Sequence, residues 1–275
     1  MSSSLAPPHL LDALAPGSHL ARLRIVVGAA ALAKGVSFGA LDGAPAYLLW
    51  VWIPLSVAVV LGIRARIAAV ALAALSLLPL FSGFYRNHLY LLGLMLLLVG
   101  VSQCSRELSI YTPRVQHTLV PGWPLRLMQW QLSIVYVFAG LVKTTPEFLS
   151  GEVLEAYLAT SMLPRPIAGV LGAHASLLAK LVTPIELFLG LAAWSPRARP
   201  LAVAFAAPLH LGMLTVSRTP ADLVGVAIFA VLMFSLWSSF FWVPISTNRG
   251  QWPARLHLRG PLERSDGVER PRTGR

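Results

Sequence analysis

Gln131-Leu132-Ser133-Ile134-Val135-Tyr136-Val137-Phe138-Ala139-Gly140-Leu141-Val142-Lys143 ends an apolar run on a lysine, and Thr144-Thr145-Pro146-Glu147-Phe148-Leu149-Ser150-Gly151 follows it. The run is apolar enough to be the second half of a membrane-crossing helix. A backbone inside lipid has to satisfy its own hydrogen bonds, so such a run is a helix. Its lysine is then either an anchor at the headgroups or a chemical group. Similar runs recur along most of the chain, and together they predict an all-α fold, a polytopic helical transmembrane bundle of about eight spans. The expected spans are 22–41, 45–63, 67–85, 88–103, 125–143, 174–194, 198–217 and 221–242.

Composition supports this. Of the 275 residues, 56% are hydrophobic and 12% charged, against about 25% charged in soluble domains. The net charge of +11 sits between the apolar runs and in the C-terminal stretch, where it marks topology rather than nucleic-acid binding. With the N-terminus inside, 16 basic residues fall on the cytoplasmic side and 5 outside. The expectation is an inner (plasma) membrane protein with both termini cytoplasmic and Lys143 on the outer face. Residues 1–19 are expected to form a cytoplasmic segment without a cleavable signal, 20–245 the membrane domain, and 246–275 a basic disordered tail. The single cysteine, Cys104, excludes an intrachain disulfide.

After Lys143, Thr145 and Pro146 suit a helix N-cap and first position. Val153, Leu154, Tyr157 and Leu158 fall on one face, predicting a short amphipathic helix in the membrane interface. Residues 104–124 read as a polar connection. Seven of the eight tryptophans, Trp52 and Trp237 among them, read mostly as interface residues.

Ionisable groups inside spans are costly and tend to pair within the bundle. The candidates are His88, Lys143, Lys180, Glu186 and His210. Glu186 follows Pro184, and His210 follows Pro208. Tyr136 and Lys143 are two helical turns apart, on one face. An amine held against apolar surface can serve as a base. A carboxylate partner such as Glu186 would hold it charged instead, and simple snorkelling is the plain alternative. His88 at a span end also reads as an interfacial residue. Motifs for phosphate loops, dinucleotide binding and zinc hydrolysis are absent from the sequence, and no metal site is expected.

The Gln131–Lys143 stretch with Phe148 and Gly151 resembles the HTTM family, whose pattern is roughly Q-x-x-I-V-Y-x-x-A-G-x-x-K followed by W-x-x-G, with Phe148 in place of the tryptophan. Asn87-His88-Leu89-Tyr90, Ile185-Glu186-Leu187, Leu209-His210-Leu211-Gly212-Met213 and the early Leu20–Gly28 segment fit in the same order. The family includes vitamin K-dependent gamma-carboxylase, in which the lysine of this motif takes a proton from reduced vitamin K. The resemblance implies Lys143 as base, His210 and His88 as supporting catalytic groups, and Glu186, Tyr136, Gln131 and Asn87 as substrate-binding residues. It also implies a reduced quinone as a possible cofactor. The chain ends soon after its last span, so the carboxylase's large non-cytoplasmic domain is expected to be missing. The architecture is closer to small bacterial SdpB-like members associated with maturation of secreted peptides.

Three functions follow as expectations. One is a quinone-linked or peptide-modifying enzyme. Another is a non-catalytic accessory factor for a secreted peptide. The third is a small transporter. The expected partners are the lipid bilayer and a secreted peptide or a lipid quinone, with no nucleic acid.

Overall fold

A computed structural model describes residues 14–43, 45–82, 86–105, 107–112 and 119–241. The expected tail at 246–275 and most of the expected N-terminal segment lie outside the described residues. So do parts of the 104–124 connection and the end of the third expected span.

The eight apolar runs are helices: α1 (Gly17–Ala40), α2 (Ala46–Leu61), α3 (Ala65–Leu77), α4 (Asn87–Val101), α5 (Trp123–Val142), α9 (Ala175–Ala192), α10 (Arg199–Thr215) and α11 (Pro220–Phe241). Four of them, α1, α5, α9 and α11, are long and apolar enough to cross a membrane by themselves. By contrast α2, α3 and α4 are apolar but have only 16, 13 and 15 residues, or about 20–24 Å at 1.5 Å per residue. A bilayer core is about 30 Å thick, so helix length alone supports four spans rather than eight. Between α5 and α9 lie three short helices, α6 (Pro146–Leu149), α7 (Glu152–Ala159) and α8 (Arg165–Ala173).

The bundle has two halves. In the first, α1 packs on α2 and α4, and α3 packs on α2 and α4. In the second, α9 lies between α5 and α10, and α10 packs on α11. The halves are joined by α11, which touches α1, α4 and α5, and by α4 against α5. One apolar core runs through both halves, from Leu23 and Val27 through Leu92 and Met95 to Leu132 and Leu236. Outward, large apolar side chains are exposed all round: Trp50, Ile67, Phe138, Leu191 and Leu211. Water-soluble monomers rarely carry so much exposed apolar surface; here lipid covers it.

The fold is all-α apart from one small clasp that the sequence reading lacks. Leu14–Pro16 (β1) pairs antiparallel with Leu119–Pro121 (β2), Ala15 opposite Val120. This starts α1 at Gly17, five residues earlier than expected, and puts an ordered strand inside the 104–124 connection.

At the clasp end of the bundle, arginines take up the carbonyls that helix C-termini leave unpaired. Arg24 is fully buried; it donates to Cys104 O at 3.2 Å, to Val60 O at 3.4 Å and to Leu108 O. Arg66 Nε donates to Gly100 O at 3.1 Å, near the end of α4. Arg199 donates to Ala193 O at 3.2 Å and Phe240 O at 2.6 Å, at the ends of α9 and α11. The charges that the topology count placed on one side thus also close the helices there.

Two expectations for tryptophan are corrected. Trp52 and Trp237 are each 1% exposed, so they are core residues. The indole N–H groups explain why they tolerate burial: Trp52 donates to Ala31 O at 2.7 Å and Trp237 to Tyr136 Oη at 3.4 Å.

Candidate functional site

The site is assembled by the close antiparallel packing of α5 on α9. Two glycines permit it. A Cβ on Gly190 would come within 2.6 Å of Val137 and 3.0 Å of Ser133 O, and one on Gly140 within 2.8 Å of Leu187. Near the other end of this seam the Trp194 indole donates to Ser133 Oγ at 2.7 Å and stacks near Trp130 with centroids 4.6 Å apart.

The turn after Lys143 locks the register. The Thr145 side chain caps α6, accepting from Phe148 N at 3.4 Å, with Pro146 in the first turn. Gly151 then takes φ +94°, a left-handed conformation that glycine adopts without penalty. Any side chain there would run into the backbone of Ala175 and Ser176 at the start of α9. Ser176 Oγ donates to Leu149 O at 3.2 Å across the same contact. The amphipathic segment therefore breaks at Gly151, and α7 is a separate eight-residue helix with Leu158 buried. The helix α8 behind it was not expected, since two prolines and four small residues mask its start and its period.

This geometry carries Lys143, the C-cap of α5, to Glu186 on α9. Lys143 Nζ donates to both carboxylate oxygens of Glu186, each at 2.6 Å. The lysine side chain is 26% exposed and the glutamate 5%. The amine is therefore near the surface and the carboxylate is within the bundle. Thr183 Oγ1 donates to Lys143 O at 3.4 Å. The Phe148 ring, which stands where the family pattern has tryptophan, lies 5.7 Å from the ammonium.

A second polar pair sits deeper in the same half. Tyr136 Oη is 2.8 Å from His210 Nε2; both residues are 2% exposed. Phe229 and Phe234 flank the His210 ring at 5.9 and 5.5 Å, and its Nδ1 has no partner among the described residues. Glu186 acts electrostatically on Tyr136, so the two pairs are neighbours.

The other expected site residues are placed apart. His88 opens α4 against Gly225 of α11, and the charges that act on it are Lys34, Arg86, Asp42 and Asp222, not Lys143. Asn87 lines the same cleft as His88. Gln131 is half-buried on α5, twelve residues and so about 18 Å along the helix from Lys143. Lys180 is exposed.

Two buried polar residues escaped the sequence reading. Gln129 is fully buried and donates to Ala193 O at 2.7 Å while accepting from Arg126 at 3.0 Å. Lys34 is 1% exposed, paired with Asp42 at 2.9 Å and 4.3 Å from the Phe38 ring centroid. Its position within the first apolar run was the available signal. Among the described residues no three of His, Cys, Asp and Glu converge to hold a metal ion.

A helical bundle with lipid-facing apolar flanks and a lysine–glutamate pair between two of its helices defines an integral membrane protein. The HTTM domain model matches residues 39–242, and the chain belongs to the HTTM family. No curated protein and no solved structure matches it.

Proposed function

We propose that this HTTM protein is an inner-membrane, multi-pass enzyme whose lysine–glutamate pair takes a proton from a lipid-soluble hydroxyl compound, of which a reduced quinone is the leading example. The observation that carries this reading is the bidentate Lys143–Glu186 pair, with its amine half at the surface and its carboxylate inside. The paired carboxylate holds the amine charged at rest, so the base step begins with transfer of the shared proton to Glu186, which leaves Lys143 as a neutral amine. That amine accepts the substrate hydroxyl proton and becomes an ammonium beside the oxyanion it has made. Tyr136 and His210 lie within the same half as a second polar pair. The eight helices would cross or enter the bilayer with the arginine-capped end cytoplasmic and Lys143 on the other side.

The test is binding of reduced menaquinone or ubiquinone to the purified protein in native lipid, for wild type and Lys143→Ala. Saturable binding with altered quinone chemistry in the mutant supports the reading. Absence of binding to demonstrably folded protein overturns it.

One observation favours a second reading, a non-catalytic factor for a secreted peptide of the SdpB-like kind. Around α7 and α8, Tyr157, Met162, Ile167 and Val170 are exposed apolar residues on these short helices and the connection between them. That role predicts loss of peptide binding on mutating 152–158, with binding retained by Lys143→Ala protein that is folded.

A further inference from the structure

At the Lys143 end of the bundle a separate cleft of about 450 Å³ opens between the start of α4, the α10–α11 connection and α7. Its size lies within the range of small-molecule sites. Its inner wall is apolar, with Met213, Val226 and Phe229. Two buried polar atoms on this cleft lack partners among the described residues: His88 Nε2 and Ser217 Oγ. His88 is 9% exposed and Ser217 5%. Buried polar groups are nearly always satisfied, and a ligand or bound water is the usual reason when the protein itself does not do so. The histidine cannot readily turn away. A Cβ at Gly225 would lie 2.6 Å from its ring, so α11 packs directly against it.

Charge adds a second constraint. The cleft is lined by Arg86, Arg218 and Asp222. Arg86 reaches Asp222 at a long 3.4 Å, and Arg218 lies 4.4 Å over the Tyr157 ring. Lys34 and Asp42, which also act on His88, pair with each other. Two arginines and one aspartate thus line the rim of an apolar hollow, which carries net positive charge.

We propose that this cleft binds an amphiphilic monoanion, an oxyanionic headgroup carried on an apolar chain. Arg218 and Arg86 hold the headgroup, His88 and Ser217 bond its oxygens, and the chain lies along Met213, Val226 and Phe229. The inference does not depend on Lys143 being a base. The same chemistry has two sources, the phosphodiester of an anionic phospholipid and the carboxylate of a free fatty acid.

The test uses the full chain in phosphatidylcholine nanodiscs, with equilibrium binding of phosphatidylglycerol and, separately, of palmitate. Wild type is expected to bind one or both saturably. Preference for phosphatidylglycerol assigns the headgroup to the bilayer, and preference for palmitate to a free acid. Arg218→Gln, on an exposed side chain, and Ser217→Ala are each expected to weaken binding about tenfold, which is about 1.4 kcal/mol. Val226→Trp, which fills the hollow, should abolish it. Wild-type binding by folded Arg218→Gln and Ser217→Ala overturns the proposal. So does failure of wild type to bind either anion above the neutral-lipid background, including a result in which only an acidic peptide binds.

Discussion

Both oxygens of the Glu186 carboxylate accept from the single ammonium of Lys143, each at 2.6 Å. The two partners are unequally placed, for the lysine side chain is about a quarter exposed and the glutamate almost wholly buried. Removing the lysine strands a charge inside the bundle; removing the glutamate strands one that can turn outward. Lys143→Ala should therefore destabilise by about 3–5 kcal/mol, and Glu186→Gln by clearly less. Thermal unfolding in detergent checks the order. Equal losses would mean that the Glu186 carboxylate is wetter than the geometry implies.

Tyr136→Phe removes the hydroxyl that lies between His210 Nε2 and the Trp237 indole. Neither imidazole nitrogen then has a partner among the described residues, since Nδ1 already lacks one. The expected cost is about 1–3 kcal/mol, measured as a shift in the unfolding midpoint. A neutral substitution would show that water or a moved neighbour replaces the tyrosine.

The α5–α9 seam gives a paired prediction about glycine. Gly190→Ala meets Val137 and the Ser133 carbonyl and should loosen the seam, lowering stability and weakening the Lys143–Glu186 contact. Gly169 and Gly212 have nothing within 4 Å of a new Cβ. Alanine there should be neutral or stabilising, by up to about 1 kcal/mol from helix propensity. If Gly212→Ala proves as harmful as Gly190→Ala, close approach is not what Gly190 supplies.

Arg24→Lys separates charge from geometry. A lysine keeps the positive charge that biases topology but lacks the fork that reaches carbonyls of Val60, Cys104 and Leu108. Cysteine labelling of both termini should report unchanged topology. Stability should fall by about 1.5–3 kcal/mol, the scale of a hydrogen bond to a charged group.

The apolar runs announced the helices well because each is a long stretch whose only stable form in lipid is a helix. The capping of α6 by Thr145 was legible for a local reason, an N-cap followed by proline. Other features were not local. Whether Lys143 met Glu186 depended on Gly140, Gly190 and Gly151 together setting one interhelical register, and no single one of them signals that. His88 and Lys143 fit one family pattern in sequence, yet α4 faces its histidine to α11 while α5 offers its lysine to α9. Gln129 and Gln131 differ by two residues, which on a helix turns one inward and leaves the other on the flank. Lys34 was counted with the outer-side charges, although it lies within the expected 22–41 span and is buried in α1.

The strand clasp has a consequence in time. Leu14–Pro16 waits for Leu119–Pro121, about a hundred residues later. At 5–20 residues per second that is roughly 5–20 s of synthesis. Through that interval the first four helices exist without the latch that fixes where the first of them enters. The N-terminal half is thus free to adjust its depth and tilt until the segment leading into α5 emerges. Only then does the lysine-bearing helix follow, into a bundle whose entry point has just been set.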